Sequence, residues 1–248
     1  MRMREYSDAI PKPMVPVGNR PILWHLMKYY AHYGHKEFIL CLGYRGECIK
    51  DYFLNYDERV SNDFVLSGRG REVKMIETDI DDWKITFVDT GLSSTIGQRL
   101  RRVRRYIGDD ETFMANYADG LTDLPLTTLT DFFTESDKTA CFLGVRPMGS
   151  YHTVSAGKDG IVSEVKSSAS SSERINGGFF VFKNSIFDHI EEGEDLVEQP
   201  FQRLIDKREL LMYAHDGFWA CMDTFKEKQV LDEVSARGKA PWELWSTH

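Results

Sequence analysis

The chain has 248 residues, 42% of them hydrophobic and 28% charged, which suits one large α/β domain and is too apolar for a disordered chain. A formal net charge of −8 argues against non-specific binding to nucleic acid or an anionic membrane, and no apolar run resembles a membrane span or a signal peptide. Cys41, Cys48, Cys141 and Cys221 lack Cys-x-x-Cys spacing, which fits buried thiols in a reducing compartment and an expected cytoplasmic location.

Near the start, IPKPMVP packs Pro11, Pro13 and Pro16 around a single cation, Lys12. Proline fixes φ, so this lysine is held on a stiff backbone. PILWHLMKYYAHY then carries Ile22, Leu23, Leu26, Met27 and Tyr30 at helical spacing, with Pro21 at the first turn and Gly34 as a stop. EFILCLGY is a continuous apolar run that predicts a buried strand, and GECIKDYFLNY returns to helical spacing. WKITFVDTG, TFMANYADG and TACFLGVRP predict three more strands, the second running from Thr112 to Asp119-Gly120. Strands alternating with helices indicate a doubly wound, mostly parallel sheet. After Val154 the pattern shifts to short strands around a serine-rich, mobile loop, Ser167 to Ser172. Helical patches follow at Ser185–Ile190 and Gln199–Arg208, then a strand-like LLMYAHDGFWACMDT, then a helix from Phe225 to about Arg237.

Some residues are candidates for chemistry. Asp119, between Ala118 and Gly120, follows an apolar strand, so it belongs at the carboxyl edge of the sheet, where open α/β sheets bind ligands. An ordinary Asp-Gly turn is the bland alternative. Asp223 follows the apolar GFWACM and precedes a helix, where either Asp223 or Thr224 suits an N-cap. Two carboxylates at strand ends can instead hold one hard cation such as Mg²⁺ and leave coordination places for phosphate oxygens. In GQRLRRVRRYIG, Leu100, Val103 and Ile107 form an apolar face, which puts Arg101, Arg102, Arg104 and Arg105 on the solvated side. Arg99, near the helix start, is placed to reach a ligand. Asn176-Gly177-Gly178 reads either as a turn or as a backbone-lined pocket for a small polar ligand.

PKPMVPVGNRPILWHLMKYY, ILCLGYRGECIKDYFLNY, ITFVDTG, GQRLRRV, YADGLTD, INGGFFVF, GFWACMDT and KAPWELW together resemble the sugar-phosphate nucleotidyltransferase family. Within it, GFW-x-x-MDT and APW lean towards the glucose-1-phosphate cytidylyltransferases. The resemblance implies a Rossmann-like doubly wound sheet with a small β-rich sugar-binding insertion, residues 1–248 forming a single nucleotidyltransferase domain. It implies CMP transfer from CTP to glucose 1-phosphate, giving CDP-glucose and pyrophosphate, with Mg²⁺ as cofactor. Lys12, Arg99 and Asp119 take catalytic positions by this resemblance. Arg2, Lys12, Thr95, Arg99 and Ala118 fall at the nucleotide, and Lys166, Asn176 and Gly177 at the sugar phosphate. Asp119 and Asp223 match the metal-holding aspartates. Small-molecule substrates, no nucleic acid, no membrane and a homo-oligomer are expected.

The chain departs from that family in places. The family opens with a buried strand and a glycine-rich loop, G-G-x-G-T-R, whose backbone N–H groups wrap phosphates. Here Arg2 alone aligns with its arginine, so an open slot is expected beside the strands Phe38–Leu42 and Phe113–Tyr117. Ala118 stands for a glycine, Ser150-Tyr151-His152 for R-F-G, Val165-Lys166-Ser167 for E-K-P, and Cys221 for a proline. The alternatives are a thymidylyl- or uridylyltransferase for another sugar 1-phosphate, and a catalytically impaired paralogue that acts as a binding partner.

Overall fold

The computed structural model describes residues 10–147, 152–167, 173–238 and 240–245. Its first element is a rigid bend: Lys12–Met14 make one 3-10 turn, closed by Met14 N donating to Pro11 O at 2.8 Å. Strands β1 (Pro16–Val17) and β2 (Arg20–Pro21) pair antiparallel and lead into helix α1 (Ile22–His32). This helix is buried on nearly every side, Lys28 and His32 excepted, as expected of a helix apolar all round. Ile22, Leu26 and Tyr29 join the main core, while Leu23 and Met27 pack into a second cluster with Leu42 and Ile49.

Strand β3 (Glu37–Leu42) and helix α2 (Gly46–Leu54) follow. A hairpin arm, β4 (Phe64–Ser67) and β5 (Glu72–Met75), was not anticipated from the sequence. Its base is held by Asp79, which accepts from Lys28, Tyr56, Ser61 and Asn62 and faces Arg20 at 3.7 Å. Burial opposes the Asp79 charge, but these donors outweigh it and hold the carboxyl below its ordinary range. Strand β6 (Lys84–Asp89) pairs parallel with β3, and helix α3 spans Ile96–Ile107.

Strand β7 covers Thr112–Asn116, shorter than the run to Gly120 expected from the sequence. The chain turns at 117–119, and Gly120 begins a separate strand, β8 (Gly120–Thr122). After helix α4 (Leu126–Ser136) and β9 (Ala140–Val145), β10 (His152–Ala156) and β11 (Val162–Ser167) form an antiparallel insertion. The expected serine loop lies outside the described residues beyond Ser167. Strand β12 (Ile175–Lys183), a 3-10 turn at Asn184–His189, helix α5 (Gln199–Lys207), β13 (Leu210–His215), β14 (Trp219–Cys221) and helix α6 (Phe225–Ala236) complete the order.

The central β structure is in two pieces. One is the parallel pair β3–β6. The other is four-stranded, in the order β13-β9-β12-β7; β9 and β13 run parallel, and β12 runs antiparallel to both β9 and β7. Between β3 and β7 lies a slot of about 1490 Å³, roofed by α1 and α3. This explains a difference from the sequence reading: Phe38, Ile39 and Leu40 are half-buried and Cys41 is exposed, because among the described residues β3 has a neighbour on one side only. Of the four cysteines, all free, Cys141 alone is fully buried. The α3 arginines are not simply solvated. Arg102 holds Thr90 O and Arg101 holds Ile190 O, while Arg104 lies over the Phe187 ring.

Trp242 is wholly buried, and its indole N–H donates to His25 Nδ1 at 3.4 Å. His25 Nε2 in turn donates to Val17 O at 2.9 Å, which assigns a neutral Nε2–H imidazole. Burial holds its pKa down to about 4. Because the unfolded state binds the extra proton between pH 6.5 and 4, stability falls as pH drops through that window, by at most about 3 kcal/mol. Urea melts across this range should show the slope in the wild type. His25→Asn, which can still donate to Val17 O but does not titrate, should flatten it.

Candidate active site

Three distant segments meet at Lys12. Its prolines set the backbone, and Nζ donates to Asp119 Oδ2 at 2.5 Å and to Asp223 Oδ1. The two carboxylates therefore sit at most about 5 Å apart, since both bond one nitrogen. Strand pairing fixes them there. Strands β8 and β14 run antiparallel with Gly120 opposite Cys221, and Met222 N donates to Asp119 O at 2.9 Å. The two acidic residues thus flank a short ladder that clamps them side by side.

Asp223 is not the cap of α6. Thr224 is: its hydroxyl accepts from Glu227 N, and Glu227 reaches back to Thr224 N in a capping box. One residue ahead of the cap, the Asp223 side chain is left for Lys12. Burial of the Lys12 ammonium opposes its charge, but Asp119 and Asp223 outweigh it and raise its pKa above the ordinary value. The hydrogen bond from Lys12 holds the Asp223 carboxyl below its own ordinary value. Nearby, burial and then the Glu227, Asp223 and Asp119 carboxylates push the Cys221 thiol up to about 12.

The charges fit a dication. Two carboxylates converge on one point from rigid strand ends, which is the donor set Mg²⁺ takes when its remaining positions go to water and phosphate. With a metal between the carboxylates, the flexible Lys12 stem can turn its ammonium towards phosphate oxygens.

Asn176 and Gly177 lie on the same side of the molecule as the turn that carries Asp119. Asn176 is in β12 rather than in a turn, at a break in register with β9. Its amide donates to Tyr117 OH at 3.3 Å, and its Oδ1 accepts from Gly178 N. Gly177 O accepts from Trp219 Nε1 at 2.9 Å. At Gly178, φ is +77° and a Cβ would stand 2.6 Å from the Tyr117 ring, so a side chain there would expel Tyr117. Tyr117, Trp219 and the pair His215–Asp123, 2.8 Å apart, were not singled out from the sequence. Their only signal was position, Tyr117 just before the aspartate turn and Trp219 within GFW.

Other expected site residues are placed differently. Arg99 does not point out from the helix start. Its guanidinium donates to Thr90 Oγ1 at 2.6 Å and to the Leu42 and Leu92 carbonyls, tying the loop at 90–95 to the end of β3, where Leu42 O also accepts from Thr90 N at 2.8 Å. Thr95 caps α3 in a capping box with Gln98 and donates to Glu194 O at 2.6 Å. Ala118 is half-buried in the aspartate turn and lines the slot beside Asp119. Lys166 lies on β11 opposite Thr153. Arg2 lies outside the described residues.

The clasp makes a direct prediction. Followed by carboxyl NMR, Asp223 should titrate below its ordinary value of 3.8, and Lys12→Met should move its midpoint upward by removing the principal donor. An unchanged midpoint would mean that the ion pair is not formed in solution.

The nucleotidyl transferase family model matches residues 1–232. The glucose-1-phosphate cytidylyltransferase of Salmonella typhimurium is 38% identical over 245 residues, covering 98% of this chain and 95% of that one. The probable glucose-1-phosphate cytidylyltransferase of Bacillus subtilis is 37% identical over 246 residues, with the same coverage. Among solved structures, UDP-glucose pyrophosphorylase complexed with UDP-glucose superposes with a TM-score of 0.65 at 14% identity, over 93% of this chain and 92% of that one. A putative glucose-1-phosphate thymidylyltransferase from Bacillus anthracis gives 0.64 at 13% identity, over 93% and 88%; at these identities the likeness concerns the fold. The chain belongs to the nucleotidyl transferase family, among the sugar-phosphate nucleotidyltransferases.

Proposed function

We propose that this protein transfers CMP from CTP to glucose 1-phosphate, yielding CDP-glucose and pyrophosphate. The observation that carries the reading is the convergence of Lys12, Asp119 and Asp223 in a chain 37–38% identical to glucose-1-phosphate cytidylyltransferases across nearly its whole length. A phosphate oxygen of glucose 1-phosphate forms the new bond to the α-phosphorus of CTP. The bond from that phosphorus to the bridging oxygen breaks, and pyrophosphate leaves with the electron pair. Little covalent chemistry is asked of the protein, so positioning and charge stabilisation dominate.

In this reading Asp119 and Asp223 hold Mg²⁺. The ion would neutralise charge developing on the phosphate oxygens. Lys12 contacts the phosphates, arriving from a proline-fixed turn so that little backbone freedom is lost on binding. Asn176 and the Gly177 backbone face the sugar, with Tyr117 and Trp219 holding that wall in shape, and Lys166 serves the sugar phosphate. Arg99 acts as a positioning residue for the 90–95 loop, and Thr95 and Ala118 border the nucleotide. The same reading takes the protein as cytoplasmic and homo-oligomeric, with the exposed Val65 and Leu66 of the hairpin arm as apolar surface available for assembly.

Pyrophosphate release measured with each of the four nucleoside triphosphates and glucose 1-phosphate should favour CTP by at least about tenfold in kcat/KM. A preference for UTP or dTTP would overturn the base assignment. Asp119→Asn and Asp223→Asn should each lower kcat by at least about 100-fold and weaken Mg²⁺ binding in calorimetry, since each removes a charged ligand. Lys12→Met should cost a comparable factor, about 100- to 1,000-fold, while Mg²⁺ binding is retained. Loss of Mg²⁺ binding in Lys12→Met with none in the aspartate variants would invert the assigned roles.

A further inference from the structure

The ladder that carries Asp119 and Asp223 is separate from the four-stranded sheet: among the described residues, β8 and β14 pair only with each other. Side chains must therefore fix where it sits. Along β13, half-buried Leu211, Tyr213 and His215 alternate with exposed Met212 and Ala214, so His215 falls on the face that Leu211 and Tyr213 turn to the main core. It is the last residue of that strand. There its ring Nε2 donates to Asp123 Oδ1 at 2.8 Å, since a carboxylate only accepts. Asp123 directly follows β8, and its N–H continues the ladder by donating to Phe218 O at 3.1 Å. The pair thus fastens the far end of the ladder to the sheet, four residues from Asp119, roughly 13 Å along an extended chain.

Gly217 adds an independent observation. A Cβ there would stand 2.5 Å from Asp123 Oδ1 and 2.6 Å from His215 Cε1, although its φ is not positive. Glycine is needed at 217 for the close approach to this bond, not for the backbone conformation. The sheet side of the bond is pinned as well. Arg174 Nη1 donates to His215 O and Nη2 to Asp216 Oδ1, both at 2.8 Å, and Asn176 stands two residues further on. On the ladder, Trp219 donates to Gly177 O. One run of bonds therefore leads from the Asn176 stretch through Arg174, His215 and Asp123 to the strands that end in the two aspartates.

We infer that Asp123 and His215 are positioning residues for nucleotidyl transfer, an inference that rests on the reaction proposed above. In-line attack needs the phosphate oxygen of the sugar held about 3–3.5 Å from the α-phosphorus. The triphosphate is gripped at the aspartates and the sugar at Asn176 and Gly177. The His215–Asp123 bond grips neither and sets the separation of the two walls. Weakening it costs turnover rather than binding.

The test uses the 248-residue protein. Asp123→Ala and His215→Leu should each lower kcat by at least about tenfold, with KM for CTP and for glucose 1-phosphate within about threefold of wild type and Mg²⁺ affinity in calorimetry unchanged. His215→Gln keeps a side-chain N–H and should recover at least about fivefold in kcat over His215→Leu. Gly217→Ala keeps both partners but wedges them apart, and should behave like Asp123→Ala even where removal of a partner prevents folding. A readout that needs no substrate is hydrogen exchange at the Trp219 indole N–H, which should quicken by at least about tenfold in Asp123→Ala and Gly217→Ala. If the wild type shows no turnover with CTP and glucose 1-phosphate, the proposed reaction fails and indole exchange alone decides the positioning role. That role is overturned if indole exchange is unchanged in both variants, if kcat stays within twofold of wild type, or if KM rises while kcat holds.

Discussion

The molecule is organised around one electrostatic constraint. A single ammonium, Lys12, is held between two carboxylates that lie 107 and 211 residues away along the chain. Bringing like charges to within about 5 Å is unfavourable unless something cationic sits between them. In this structure Lys12 supplies that charge. The rest of the fold serves the geometry: three prolines fix the lysine, a short antiparallel ladder clamps the aspartates, and Thr224 takes the cap so that Asp223 does not have to.

Around the clasp the packing is uneven. The core beneath it is dense, with α1 buried almost all round and Trp242 sealed against His25. On the other side the central β structure is interrupted, and half-buried Phe38, Leu40, Phe113 and Ala115 line an open slot. Asp119 and Ala118 border the same slot. Whatever stiffens or loosens β7 is therefore transmitted to the turn that carries Asp119 through two residues of backbone. Arg99 ties the edge of this region down: it bonds the Leu42 carbonyl at the end of β3, which also accepts from Thr90 N.

The stretch around Asn176 shows how packing can fix the shape of a strand. Tyr117 lies against Gly178 because that glycine has no Cβ and a positive φ. The tyrosine hydroxyl then receives the Asn176 amide, and Trp219 pins the intervening carbonyl. Three side chains from three strands and turns thus hold one short stretch of β12 in shape.

Much of this was legible in the sequence. Period and punctuation located nearly every helix and central strand, because apolar spacing reports which face meets the core. The proline-flanked lysine and the two aspartates stood out because their residue types and positions at strand ends suit metal and phosphate chemistry. Other features were decided only in three dimensions. The sequence showed Phe38–Leu42 as a buried strand, since a strand's burial depends on neighbours that the strand does not encode. Arg99, read from the sequence as able to reach a ligand, bonds the carbonyls of Leu42 and Leu92, partners that no local pattern names. The hairpin at 64–75 and the Asp79 network behind it join residues up to 59 positions apart, from Arg20 to Asp79, and no local pattern announces them. Local spacing determined the elements and the chemical types of the site. Long-range pairing decided which carboxylates share a cation, which cap releases Asp223, and which strands become neighbours.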